Sequence, residues 1–170
     1  MPLWALPGFA ISVVVGLAVT PAVGRALGVG RGVAWALVLS LGIILAATLT
    51  PGSEILGPGA RGPAYCDFSR IWLPSWGELL TFYDTGGNIL MFIPLGAAIG
   101  LLPRSRRKAA IVVGAIALPF AIETTQLVVP WLDRACESAD VVDNLTGLVL
   151  GLAAGTVAGW AARKVDRRPR

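Results

Sequence analysis

Five apolar blocks, at about residues 4–24, 33–50, 86–102, 109–130 and 141–162, take up more than half of this 170-residue chain. Between them they hold two charged residues, Glu123 and Asp143. A helix needs about 20 apolar residues to cross the hydrocarbon of a bilayer. A soluble domain of this size buries too small a share of its surface to enclose five such blocks. Charged residues make up only 14% of the chain, against about 25% in ordinary soluble domains. The patterning therefore predicts an all-α membrane protein. It reads as a single transmembrane domain over residues 1–170, a compact bundle of about five transmembrane helices. No basic residue precedes the first block, and Arg25 follows it. That is the reverse of a cleaved leader, so the block is read as a retained span.

Basic residues give the expected orientation. Arg25 and Arg31 flank the first connection, Arg104, Arg106, Arg107 and Lys108 fill the third, and five more lie in the C-terminal RKVDRRPR. In a five-span chain these eleven share one side, leaving Arg61, Arg70 and Arg134 on the other. Short loops rich in Lys and Arg stay in the cytoplasm. The N-terminus is therefore expected outside and the C-terminus inside. The net charge of +4 does not call for nucleic acid. The basic clusters flank apolar blocks and form no groove with interleaved aromatics, so no nucleic-acid partner is expected. The absence of histidine removes histidine-based catalysis and zinc sites.

The outer connection, residues 51–85, is long and rich in Pro, Gly and aromatics. Part of it, Pro74–Tyr83, is expected to lie as an amphipathic helix at the interface, a level that suits Trp72, Trp76 and Tyr83. Cys66 and Cys136 are the only cysteines, and both fall in outer loops. That compartment permits a disulfide. Closing a loop of about 70 residues would stabilise the fold by roughly 4 kcal/mol in the chain-entropy account. The alternative is two unrelated small residues.

The fourth and fifth blocks carry polar groups where apolar ones would cost less. Glu123 follows 14 apolar residues, about 20 Å along a helix from its cytoplasmic end. Gln126 shares its face. Pro119, one turn earlier, is expected to kink the helix and free a carbonyl. Asp140 opens the fifth block, and Asp143 and Asn144 follow one turn later. Gly147, Gly151, Gly155 and Gly159 then recur every four residues, a stripe that lets helix backbones approach closely, within one chain or between two. Asn88 begins the third block at the same outer level. Carboxylates at bilayer depth cost about 2.5–3.5 kcal/mol each on insertion scales unless they pair, protonate or face a wet cavity. Arg134 is the cation nearest in sequence. A purely structural reading stays open: a polar clasp across the helix tops, with Asp140 as N-cap and Asp143 as a first-turn acid.

Three elements resemble the VanZ-like family: NILMFIPLG (Asn88 to Gly96), Glu123-x-x-Gln126, and Arg134 followed by Asp140-x-x-Asp143-Asn144-x-x-Gly147-x-x-x-Gly151. They define a VanZ-like core of about 86–151. The name-giving member of that family is associated with bacterial resistance to teicoplanin, a lipidated glycopeptide that binds cell-wall precursors. The resemblance implies a multi-pass protein of the bacterial plasma membrane and no established reaction. It marks Asn88, Glu123, Gln126, Arg134, Asp140, Asp143 and Asn144 as candidate binding positions. Pro94 and Gly96 match as a kink and a packing point. The cysteine pair owes nothing to the family.

The leading functional expectation is an envelope accessory protein. Its polar, acidic pocket at the outer leaflet would bind a lipid headgroup, a lipid-linked wall precursor or a lipoglycopeptide antibiotic. The alternative is an integral-membrane enzyme acting on such a lipid, with Glu123 as acid or base and Asp140 and Asp143 holding a divalent cation with Asn144. No nucleophile motif or phosphate-cradling loop supports that alternative, and otherwise no cofactor is expected. An ion-coupled carrier using Glu123 as a relay lacks the inverted repeat such proteins carry. Membrane lipids are expected partners, and the glycine stripe is a candidate oligomer contact.

Overall fold

The computed structural model describes residues 5–51, 65–79 and 85–166. Helix α1 spans Ala5–Leu27 and α2 spans Arg31–Leu49. A two-residue strand β1 (Cys66–Asp67) and a single helical turn α3 (Trp76–Leu79) follow in the connection after α2. Then come α4 (Thr85–Leu101), α5 (Arg106–Val128), a 3-10 turn at Pro130–Leu132, strand β2 (Cys136–Glu137) and α6 (Ser138–Asp166).

Four of these helices are long and apolar enough to cross a membrane: Leu6–Leu27, Arg31–Leu49, Arg106–Val128 and Ser138–Lys164. The fifth apolar helix, α4, has 17 residues, about 25 Å at 1.5 Å per residue. The chain is an all-α membrane protein. Its exposed faces carry Leu, Ile, Val and aromatic side chains, as lipid-facing surfaces do: Ile11 and Val14 on α1, Phe120 on α5, Val157 on α6. The helix ends fall within a few residues of those expected. The last helix starts earlier than 141 and runs past 162.

Helix α4 is the centre of the bundle. Phe92, Leu95 and Ile99 are almost fully buried and join Ile44 of α2, Ile122 of α5 and Leu148 of α6 in one core. The closest packing is between α4 and α6, and the glycine stripe makes it possible. A Cβ added at Gly147, Gly151 or Gly155 would run into the carbonyl oxygens of Ile89, Ile93 and Ala97 respectively. Gly100 answers from α4, where an added Cβ would sit 2.6 Å from the Thr156 nitrogen. Gly147, Gly151 and Gly155 therefore form a seam inside the chain, against the backbone of α4. Pro94 and Pro119 do not end their helices, since α4 and α5 run through them.

The basic connections meet at one end. Arg107 donates to the carbonyl of Ala26, tying the α4–α5 turn to the end of α1. Lys108 Nζ donates to the carbonyls of Gly100 (2.9 Å) and Leu102 (3.1 Å), capping the end of α4. Ser105 caps the start of α5 by accepting from the Lys108 amide. Gly28 takes a left-handed φ of 67° in the tight α1–α2 turn, a conformation a Cβ disfavours.

Candidate functional site

The opposite end is closed by the α2–α4 and α5–α6 connections. Cys66 and Cys136 form a disulfide, with 4.5 Å between their Cα atoms and 70 residues of chain between them. Beside it, β1 and β2 pair in parallel, Cys66 with Cys136 and Asp67 with Glu137. The expected helix over 74–83 is a single turn at Trp76–Leu79 within the described residues, and 80–84 lie outside them. Ser75 and Glu78 form its capping box: the Ser75 amide and hydroxyl both donate to Glu78 Oε2 at 2.6 Å. The Ser75 bonds hold the Glu78 carboxyl below the usual carboxylate pKa.

The bridge sets the position of Arg70, four residues after Cys66. Arg70 Nη2 donates to Asp143 Oδ2 at 2.5 Å and to the Ala139 carbonyl at 3.5 Å. Its Nη1 donates to the Trp72 carbonyl at 3.2 Å. The Arg70 carbonyl accepts from Ser138 Oγ at 2.8 Å. The Asp143 side chain is fully buried and that of Arg70 is 11% exposed. Sequence reading passed over Arg70, yet it supplies the countercharge expected of Arg134. A signal was available: once Cys66 is bonded to Cys136, Arg70 and Asp143 are each only a few residues from the same anchor.

Arg134 does something else. Its Nη2 donates to the Ala47 carbonyl at 2.9 Å and the Thr50 carbonyl at 3.4 Å, and its Nε donates to Thr50 at 3.4 Å. It caps the C-terminal end of α2, where orphan carbonyls and the negative end of the helix dipole attract a cation. Burial pulls its pKa below the ordinary arginine value, and the charge of Asp140 opposes that pull.

The remaining candidates join the helix tops pairwise. Asn88 Nδ2 of α4 donates to Asp140 Oδ1 of α6 at 2.7 Å. Asp140 sits in the first turn of α6, where an acid opposes the helix dipole, and not at the cap. Glu123 of α5, 5% exposed, accepts from the Glu137 amide at 2.8 Å. It therefore faces the start of α6 and not lipid. Gln126 Nε2 donates to the Thr48 carbonyl of α2 at 3.0 Å. The structure thus brings α2, α4, α5, α6 and the loop together at one polar level. It divides the candidates among separate partners: Asn88 with Asp140, Arg70 with Asp143, Glu123 with β2, and Gln126 and Arg134 with α2.

Much of this is the polar clasp, but the clasp is incomplete. Gln126 Oε1, Asp143 Oδ1 and Asn144 Oδ1 are buried and have no hydrogen-bond partner among the described residues. Asp143 and Asn144 are 0% and 1% exposed. A buried acceptor without a donor costs about 1–3 kcal/mol, so three at one end of a small bundle need explaining. Asp140 and Asp143 are occupied by Asn88 and Arg70. No cluster of three or more His, Cys, Asp or Glu among the described residues has a metal-holding arrangement. The divalent-cation reading of these two aspartates gains nothing from this geometry.

The apolar side of the same loop is open. Phe68, Ile71, Trp72, Leu73 and Trp76 are 62–86% exposed. The loop thus turns one cation inward and a row of large apolar side chains outward.

No curated protein and no solved structure matches the chain. The VanZ/LLP1 family profile matches residues 37–159, from the middle of α2 to the last third of α6. It takes in both strands, the disulfide and every candidate residue above. The chain belongs to the VanZ/LLP1 family.

Proposed function

We propose that this protein crosses a bacterial plasma membrane five times, N-terminus outside, and binds the head of an amphiphile at its disulfide-closed outer end. The amphiphile is a lipid headgroup, a lipid-linked wall precursor or a lipoglycopeptide. The observation that carries the reading is the set of buried oxygens on Gln126, Asp143 and Asn144 that lack donors among the described residues. Acceptors without donors select a partner bearing hydroxyl, amide or ammonium N–H and O–H groups. Loop 65–79 would move to admit it, with Arg70 releasing Asp143 as the ligand's donors take its place. The exposed Trp72 and Trp76 are suited to the tail, or to the membrane interface alongside it.

The test is binding of a lipoglycopeptide and of a lipid-linked wall precursor to the purified protein in nanodiscs, followed by tryptophan fluorescence. Asn144→Ala should weaken binding about fivefold or more while leaving the melting temperature within a few degrees, since Asn144 Oδ1 has no partner among the described residues. Gln126→Ala should weaken binding similarly but also lower the melting temperature, because it removes the Nε2 bond to the Thr48 carbonyl as well. Equal affinity for wild type and both variants would remove the proposed site. Under the enzyme alternative the precursor would be consumed on incubation. No specific geometry favours that alternative.

A further inference from the structure

A second binding feature lies at the basic end, away from every residue discussed as a candidate. Between α1 and α2 a groove of about 410 Å³ is lined by Leu17, Thr20 and Pro21 on one side and Arg31, Gly32 and Trp35 on the other. That volume falls within the roughly 300–1,000 Å³ of ordinary ligand sites. Its walls are apolar in effect. The one hydroxyl, on Thr20, is spent on the Gly16 carbonyl at 2.6 Å. The indole of Trp35 lies over Gly16, where an added Cβ would be 3.8 Å from Nε1. The groove sits on two helices that are long and apolar enough to cross a membrane. Leu17 is 62% exposed and Trp35 36%, so its open side faces lipid.

Charge at the mouth has one sign. Arg31 is exposed and has no ion-pair partner among the described residues. No Asp or Glu occurs before Glu54, so neither α1 nor α2 contains an acid. Gly30 and Gly32 leave the space around the first turn of α2 open, and no side chain caps that turn. An apolar slot under an unpaired guanidinium, embedded in a bilayer, is complementary to one kind of molecule: an acyl chain carrying a phosphate.

We infer that the α1–α2 groove holds one anionic phospholipid of the leaflet at the basic end, its phosphate against Arg31 and an acyl chain along Leu17, Pro21 and Trp35. Charge complementarity separates this occupant from a second copy of the chain, which would bring the same unpaired cation to the contact. All six lining residues lie outside the family-matched residues 37–159. It does not depend on the proposed outer site.

Native mass spectrometry of the purified protein, with phosphatidylglycerol or phosphatidylcholine titrated in, tests the inference. Wild type should retain one phosphatidylglycerol in preference to phosphatidylcholine. Arg31→Gln should reduce that preference about fivefold, the equivalent of one basic residue near an anionic headgroup. Trp35→Ala should lower retention of both lipids. Arg163→Gln, a cation outside the groove, should change nothing, and all variants should keep the Cys66–Cys136 bridge as a check on folding. Equal phosphatidylglycerol retention by wild type and Arg31→Gln would overturn the inference. So would an equal loss in Arg163→Gln, which would make the attraction diffuse. A Trp35→Ala change in the number of protein copies, with lipid count unmoved, would assign the groove to self-association and overturn it too.

Discussion

Replacing Arg70 with Met removes the cation from Asp143 while keeping much of the side chain's length. In wild type the two meet at 2.5 Å, with Asp143 fully buried and Arg70 11% exposed. Taking one partner from a buried pair costs about 3–5 kcal/mol, because the other charge stays behind without compensation. The lower end applies here, since the residual exposure of Arg70 lets water reach part of the gap. A loss of about 3 kcal/mol corresponds to a fall in melting temperature of roughly 6–12 °C for a chain of this size. The penalty belongs to the abandoned carboxylate and not to the missing attraction. Asp143→Leu in the Arg70→Met background should therefore recover most of the loss, as apolar replacements of buried ion pairs are often neutral or better. Thermal unfolding of the four proteins of this cycle, in one detergent at one pH, gives the coupling directly. A single variant Arg70→Met as stable as wild type would refute the reasoning, because it would mean Asp143 carries no charge for Arg70 to offset. A double variant no better than the single would refute it equally, by placing the cost in loop packing.

Other expectations follow from the same geometry. Cys66→Ser should destabilise the fold by about 4 kcal/mol on the chain-entropy account, and proteolysis within 65–79 should rise as the loop comes free. Gly151→Leu should separate α4 from α6, since even a methyl there meets the Ile93 carbonyl. Overpacking of this kind costs about 1–3 kcal/mol or more, and the variant should accumulate poorly while Gly114→Leu, at an open position, accumulates normally. Arg134→Ala should strip the cap from α2 and lower the melting temperature without weakening ligand binding, because Arg134 bonds Ala47 and Thr50 and none of the orphaned acceptors. Weakened binding at unchanged stability would return Arg134 to the site.

The apolar helices were legible because they rest on block length, a one-dimensional property. The disulfide was legible for a related reason: once the spans are drawn, both cysteines fall in loops at the same end of the bundle. The partners of the polar residues were not legible in the same way. Asn88, Glu123 and Asp140 could be assigned a depth, but depth does not say which helix stands beside which. Arg134 was expected among acids because it is near them in sequence, whereas in space the end of α2 lies closer and offers a sink of carbonyls. Arg70 was missed because its loop has no period to read. Only the covalent link makes Asp143 its neighbour. The glycine stripe was recognisable as a packing surface, and the structure supplies its partner, the backbone of α4.

Three of the contacts closing the disulfide end wait for the same piece of chain. Asn88 finds Asp140 52 residues later, Arg70 finds Asp143 73 residues later, and Cys66 finds Cys136 70 residues later. Until β2 and α6 are made, α4 has no backbone to receive Gly96 and Gly100, and Glu123 has no amide to accept from. The final helix therefore works as a keystone. Residues 136–155 supply together the partners of Cys66, Arg70, Asn88, Glu123 and the α4 backbone.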